Sequence, residues 1–288
     1  MKKLFWLSCI PLAFLISGCD LEDRIPAEMV STNQSQPLGK EKSLEARIRF
    51  DIGSLEISGQ KSSTLYSLDL EYDKASYQPE TRYEPIAGGE EGRLSFKLQS
   101  THKVGIRSER QNNRLRLGLA ESVPLKLNIN TGVGDVRLAL SGLKVSRLEL
   151  EAGVGQAKIS VYEPNPVSCD LIRMKSGVGS MDAVGLGNLN FRELEFEGGV
   201  GGANLDFTGQ WKQDADIRIQ VGVGGVNVRM PRDIGVRVEA EKHFLSGLHL
   251  DSFNKRDTYY YSDNYDKAKT RVTLRVATGV GGFKISWL

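Results

Sequence analysis

The chain has 288 residues, a formal charge of +2 and three cysteines. Losing Lys2 and Lys3 with an N-terminal leader brings that charge to zero, so there is no bulk electrostatic case for nucleic acid. Cys9 leaves with the same leader and Cys19 stands at its end, so Cys169 is alone and no intramolecular disulfide forms in the mature chain.

Residues 1–18 read as a lipoprotein signal peptide. Lys2 and Lys3 form a positive start, Leu4 to Ile16 is apolar but interrupted by Pro11, and Ile16-Ser17-Gly18-Cys19 follows. The apolar run is short for a membrane span. The ending resembles the bacterial lipobox, which implies cleavage before Cys19 and acylation of its thiol. The expected location is therefore the extracytoplasmic face of a bacterial cell envelope, held to a membrane by acyl chains. Residues 19–44 carry Pro26, Pro37, Ser31, Ser35 and several amides, which predicts a polar tether.

Residues 45–120 read as an N-terminal β module continuous with a solenoid over 121–288. Ile48, Phe50 and Ile52 are followed across Gly53 by Leu55 and Ile57. Strand-like runs come at Tyr66–Tyr72, Tyr77–Tyr83, Arg93–Leu98 and Arg114–Leu119, with turn-prone Gly88-Gly89 and Asn112-Asn113 between them.

Residues 121–288 repeat one phrase: Gly132-Val133-Gly134, Gly153-Val154-Gly155, Gly177-Val178-Gly179, Gly199-Val200-Gly201, Gly222-Val223-Gly224 and Gly279-Val280-Gly281. The first five valines are 21–24 residues apart, a period that belongs to repeat architectures. Each step lies between two runs of alternating apolar residues, such as Leu148, Leu150, Ala152 and Ala157, Ile159, Val161. The phase changes across the step. Val154 continues the first alternation, and Ala157 restarts it an odd number of residues later. That pattern predicts strand, corner, strand, with the glycines as structural corners and the valines in the inward phase. The fold class is all-β, a β-solenoid of about one coil per repeat. The last copy runs to Trp287-Leu288, which predicts a C-terminal strand that plugs the open end.

Three stretches resemble the toast-rack β-repeat lipoproteins and the related C-terminal domain of cell-envelope stress regulators of the LiaF type. They are Arg49-Phe50-Asp51-Ile52-Gly53-Ser54-Leu55-Glu56-Ile57-Ser58-Gly59, Met230-Pro231-Arg232-Asp233-Ile234-Gly235-Val236-Arg237-Val238, and Asn264-Tyr265-Asp266-Lys267-Ala268 leading to Thr278-Gly279-Val280-Gly281. The resemblance spans about residues 45–288. It implies a β-solenoid-like body, no catalytic residues to carry over, and a setting in the envelope stress response. Phe244-Leu245-Ser246-Gly247 departs from the pattern, standing where relatives keep a glycine step.

Few residues suggest a site. Glycine steps that cradle phosphates open a helix, whereas these open strands, as in Val226-Asn227-Val228-Arg229. Asp251, Asp257, Asp263 and Asp266 lack calcium-loop spacing, so no metal is expected. Cys169 has no histidine placed beside it by His102, His243 or His249, and reads as an inert core thiol. Glu193, Glu195 and Glu197 alternate with Leu194 and Phe196, which puts them on a solvated face. Tyr259, Tyr260 and Tyr261 are a candidate binding patch, with packing of the insert as the alternative. No cofactor or catalytic residue is expected. The leading expectation is a non-enzymatic binding or scaffold module whose partner is an envelope protein or glycan. The alternatives are a polysaccharide-active solenoid enzyme and an adhesin-like surface module.

Overall fold

The computed structural model describes residues 27–101, 113–240 and 247–288. The signal peptide, Cys9, Cys19, His102, His243 and residues 244–246 lie outside them. No α-helix occurs among the described residues, and two short 3₁₀ turns interrupt an 18-stranded sheet.

The chain opens with β1 (Met29–Pro37), β2 (Ser43–Ile52) and β3 (Ser54–Gln60), then β4 (Thr64–Asp73), β5 (Tyr77–Ile86), β6 (Glu91–Ser100) and β7 (Arg114–Ala120). Next come β8 (Pro124–Val133), β9 (Val136–Ala139), β10 (Lys144–Ser160), β11 (Cys169–Val184), β12 (Phe191–Asp206) and β13 (Ala215–Met230). The last group is β14 (Gly235–Ala240), β15 (Gly247–Leu250), β16 (Phe253–Arg256), β17 (Tyr259–Ser262) and β18 (Arg271–Trp287). Residues 29–37, expected in the tether, instead form a strand that pairs antiparallel with β4. A polar sequence can do this at a sheet edge, because backbone hydrogen bonds and one half-buried face suffice there.

The body is a stack of parallel coils. β2 with β3 stacks on β8 with β9, then come β10, β11, β12, β13 and β18. Each of β10–β13 and β18 runs through its glycine step and so supplies two faces of a coil. Irregular segments close the remaining side. Those segments carry buried backbone groups, and two asparagines satisfy several of them. The Nδ2 of Asn165 donates to the carbonyls of Val145 and Leu189, at 2.7 and 3.0 Å. The Nδ2 of Asn188 donates to the Val161 carbonyl, and its Oδ1 accepts from the Gln210 N–H, both at 2.9 Å. Each amide ties neighbouring coils together where the ladder stops.

The predicted apolar runs fill one continuous core. Leu148, Leu150, Ile172, Met174, Leu194, Phe196, Ile217 and Ile219 are all buried, and register stacks them coil on coil. Each such side chain contributes about 1.5–3 kcal/mol by burial, shared across coils too small to close a core alone. The aromatic rings of Phe191, Phe207 and Trp211 pack together with centroids 5.2–6.4 Å apart.

The corners correct one expectation. The central valines do not continue inward: Val133, Val154, Val178, Val200, Val223 and Val280 are 47–63% exposed. The glycines explain why. A Cβ on Gly153 would lie 2.3 Å from the Gly132 carbonyl oxygen, and one on Gly155 2.0 Å from that of Gly134. Both flanking positions therefore face the backbone of the preceding coil, and the residue between them stands at the apex. Gly155 also has φ +139°, a conformation L side chains rarely adopt. The same close approach recurs up the column, and Gly53 takes part with φ +128° at the first, imperfect copy.

The ends correct a second expectation. β18 is not the terminal plug; it lies between β13 and the pair β14/β15. The cap beyond it is β14–β17–β16, joined antiparallel. At the other end β6 and β7 lie outside β2 and β3, and β5, β4 and β1 extend them. In both places the chain moves outward and then returns.

Candidate binding surface

Repeat spacing fixes the outer face. The residue five before each central valine is Asn128, Glu149, Arg173, Glu195, Arg218 and Arg275, and parallel register stacks these six. The residue three before gives Asn130, Glu151, Lys175 and Glu197 in a second column. Between the columns lies a polar groove of 380 Å³, lined by Asn128, Asn130, Glu149, Glu151, Arg173, Lys175, Glu195 and Glu197.

From Glu149 to Arg218 charges alternate up the first column and pair between coils, and the last step sets Arg275 on Arg218. Arg173 bonds Glu195 at 2.8 Å and lies 4.0 Å from Glu149, while Arg218 reaches Glu195 at 3.1 Å. The hydrogen bond to Glu195 raises the Arg173 guanidinium above its ordinary value. In the second column Lys175 pairs with Glu197 at 2.8 Å, and Asn130 donates to Glu151 at 2.8 Å. Glu149 is also held by Arg147 at 2.5 Å. Glu149, Glu195 and Glu197 each pair with a cation, and Glu151 accepts from an amide. A glycosidase acid needs the opposite setting, a carboxyl kept protonated by apolar surroundings. The arrangement can present a regular row of donors and acceptors to an extended polar ligand.

The tyrosine patch divides between two faces. Tyr259 and Tyr261 meet edge to face at 6.3 Å, and Tyr261 meets Tyr265 at 4.9 Å. Arg237, Arg256 and Arg271 stand 5.0–5.7 Å over these three rings. Tyr260 alternates to the other side, packs on the core and carries Lys255 at 5.6 Å. The grouping is thus Tyr259, Tyr261 and Tyr265, each half-buried under a guanidinium. Asn264 anchors this cap, donating to the carbonyls of Arg232 and Ile234 at 3.0 and 3.1 Å.

The remaining candidates stay apart. Asp266 pairs with Arg256 at 3.0 Å and Asp263 accepts from Asn254 at 2.7 Å. Among the described residues no group of three or more His, Cys, Asp or Glu could hold a metal ion. Cys169 is buried, which pushes its thiol from 9.0 up to about 12. Glu193 is exposed beside the groove but does not line it. The groove itself escapes a reading of single strands. Its signal is present once the copies are aligned on their valines, because the alternation of Glu149, Arg173, Glu195 and Arg218 then falls in one column.

Stacked coils with glycine corners and a charge-paired outer face define a β-solenoid repeat protein. The chain belongs to the toast-rack family: the model of the N-terminal domain of toast_rack (DUF2154) matches residues 25–183 and again 164–229. The second match falls on β11–β13, where the coils are most regular. A solved structure from Clostridium sporogenes, described as a candidate cell adhesion protein, is 20% identical. The match covers 91% of this chain and 100% of that one, with a TM-score of 0.52, and so shares the fold. A candidate adhesin from Bacteroides fragilis is 12% identical, covering 90% and 97%, with a TM-score of 0.42. No curated protein matches the sequence.

Proposed function

We propose that the chain is a non-enzymatic, lipid-anchored binding or scaffold module at the extracytoplasmic face of a bacterial cell envelope. The observation that carries this reading is the groove on β8–β12, where Glu195 sits between Arg173 and Arg218 and Glu197 faces Lys175. Neutralised carboxylates in a repeating row suit recognition of an extended polar partner, an envelope protein or a glycan. They do not suit acid catalysis. The Ile16–Cys19 sequence supports the anchor, and family membership supports the setting. An adhesin-like role is the second reading, favoured by the description of the C. sporogenes structure that shares the fold.

The test is proximity crosslinking of the full chain in intact bacteria, read by mass spectrometry. Enrichment of a specific envelope component is expected. It should be lost in Cys19→Ala and reduced in the double variant Arg173→Glu, Lys175→Glu. Glycan newly cleaved by the purified chain would instead establish the enzyme alternative.

A further inference from the structure

Among the described residues the unguarded edge strand of the sheet is β1. Natural proteins protect edge strands with charge, proline or shortness, because an open row of backbone groups pairs with other chains. β5 has Pro79 and Pro85 with Glu80, Arg82 and Glu84. β15 and β16 are four residues each, and β16 ends in Lys255-Arg256. β1 has none of this: it is nine residues, Met29-Val30-Ser31-Thr32-Asn33-Gln34-Ser35-Gln36-Pro37, without a charge and with proline only at its end. Among the described residues β4 is its one partner strand.

The register shows which groups face outward. The Lys74 N–H donates to the Glu28 carbonyl at 3.0 Å, and pairing runs unbroken from Met29 with Asp73 to Gln36 with Tyr66. Antiparallel alternation then turns the backbone groups of Val30, Thr32 and Gln34 toward β4. Those of Met29, Ser31, Asn33 and Ser35 point away. The side chains of Ser31, Asn33, Gln34 and Ser35 are exposed.

We infer that β1 pairs antiparallel with β1 of a second copy of this chain, about a twofold axis at Asn33. Ser31 then lies opposite the partner's Ser35. The strand is close to self-complementary about Asn33, with serines two positions to either side and uncharged Thr32 and Gln34 between. Two copies meet without like charges in opposition, whereas β5 or β16 would each set charge against charge. A twofold contact also closes on itself, so one pairing covers both open edges. A single nine-residue ribbon belongs to the small class of interfaces, which makes this a weak, reversible dimer.

The test uses full chains carrying Ser31→Cys or Ser35→Cys, oxidised mildly, alone and mixed. In this register residues 31 and 35 of the two copies have Cα atoms about 5.5 Å apart, within disulfide reach. Two copies of residue 31 stand four residues apart along the strand, about 13 Å. A disulfide-linked dimer is expected in the mixture, and at least tenfold less with either chain alone. The wild-type chain sets the background from its own cysteines. Adding Asn33→Pro, whose N–H points away from β4, should remove the crosslink while the melting temperature stays within a few degrees. Equal dimer from Ser31→Cys alone, no dimer in the mixture, a crosslink to a different protein, or a crosslink that survives Asn33→Pro would each overturn the inference.

Discussion

The middle of the molecule and its two ends follow different rules. From β8 to β13 each coil stacks on the one before it, and chain order is spatial order. At the ends the chain goes out and comes back, so β6 and β7 lie outside β2 and β3, and β14 and β15 lie outside β18. The middle can repeat because every coil presents the same ladder to the next. An end cannot, since its last ladder would face water unpaired. The returning insertions turn the parallel stack into antiparallel sheets whose edges are short, charged or proline-bearing. β1 is the exception.

The sharpest way to break the middle is through its glycine column. In Gly179→Ala the Cβ would sit 1.8 Å from the Gly155 carbonyl at φ +146°, so a loss of more than about 3 kcal/mol is expected in chemical denaturation. Gly225→Ala is the contrast. Its Cβ would meet nothing nearer than 3.9 Å, so stability should stay within about 0.5 kcal/mol of wild type. Equal losses at the two positions would refute a stacking origin for the glycine steps.

The irregular side of the coils is the next place to press. Asn188→Ala leaves the Val161 carbonyl and the Gln210 N–H without their partner, and should cost about 2–3 kcal/mol by thermal unfolding. Asn264→Ala, at the C-terminal cap, should cost about 1–2 kcal/mol. Its effect should be confined to the cap, as hydrogen exchange of β14 and β17 would show.

A pH titration separates the buried core from the solvated faces. Burial raises the folded Cys169 thiol from 9.0 to about 12. Its contribution is therefore fully present below pH 9 and is lost as pH climbs toward 12, because the unfolded chain gives up that proton first. The unfolding midpoint should fall over that window, and Cys169→Ala should flatten the fall. A thiol reagent at pH 8 should label Cys169 only after unfolding. The smallest effect belongs to the outer face. Arg173→Ala removes exposed pairs and should cost only about 0.5 kcal/mol, less still at high salt.

Much of the middle was legible from sequence because its signals are local and repeated. Alternation in Leu148, Leu150 and Ala152 marked the buried face, and the glycine steps marked the corners. The groove was half legible: each charge could be placed on a solvated face, but the pairing of Arg173 with Glu195 needs register between coils. The tyrosines were legible as a cluster and not as two faces, since that depends on how β17 pairs with β14. The polar stretch at 29–37 looked like a tether because an edge strand needs no strong apolar pattern of its own.

By itself the sequence determined the all-β class, the coil length, the inward residues of each strand and the glycine corners, all consequences of short-range backbone geometry. Only the tertiary structure decided that the valines face outward, that β18 lies inside the stack, and that β1 joins the sheet. Each of these depends on which strand lies alongside which, and that choice is made by contacts tens of residues apart.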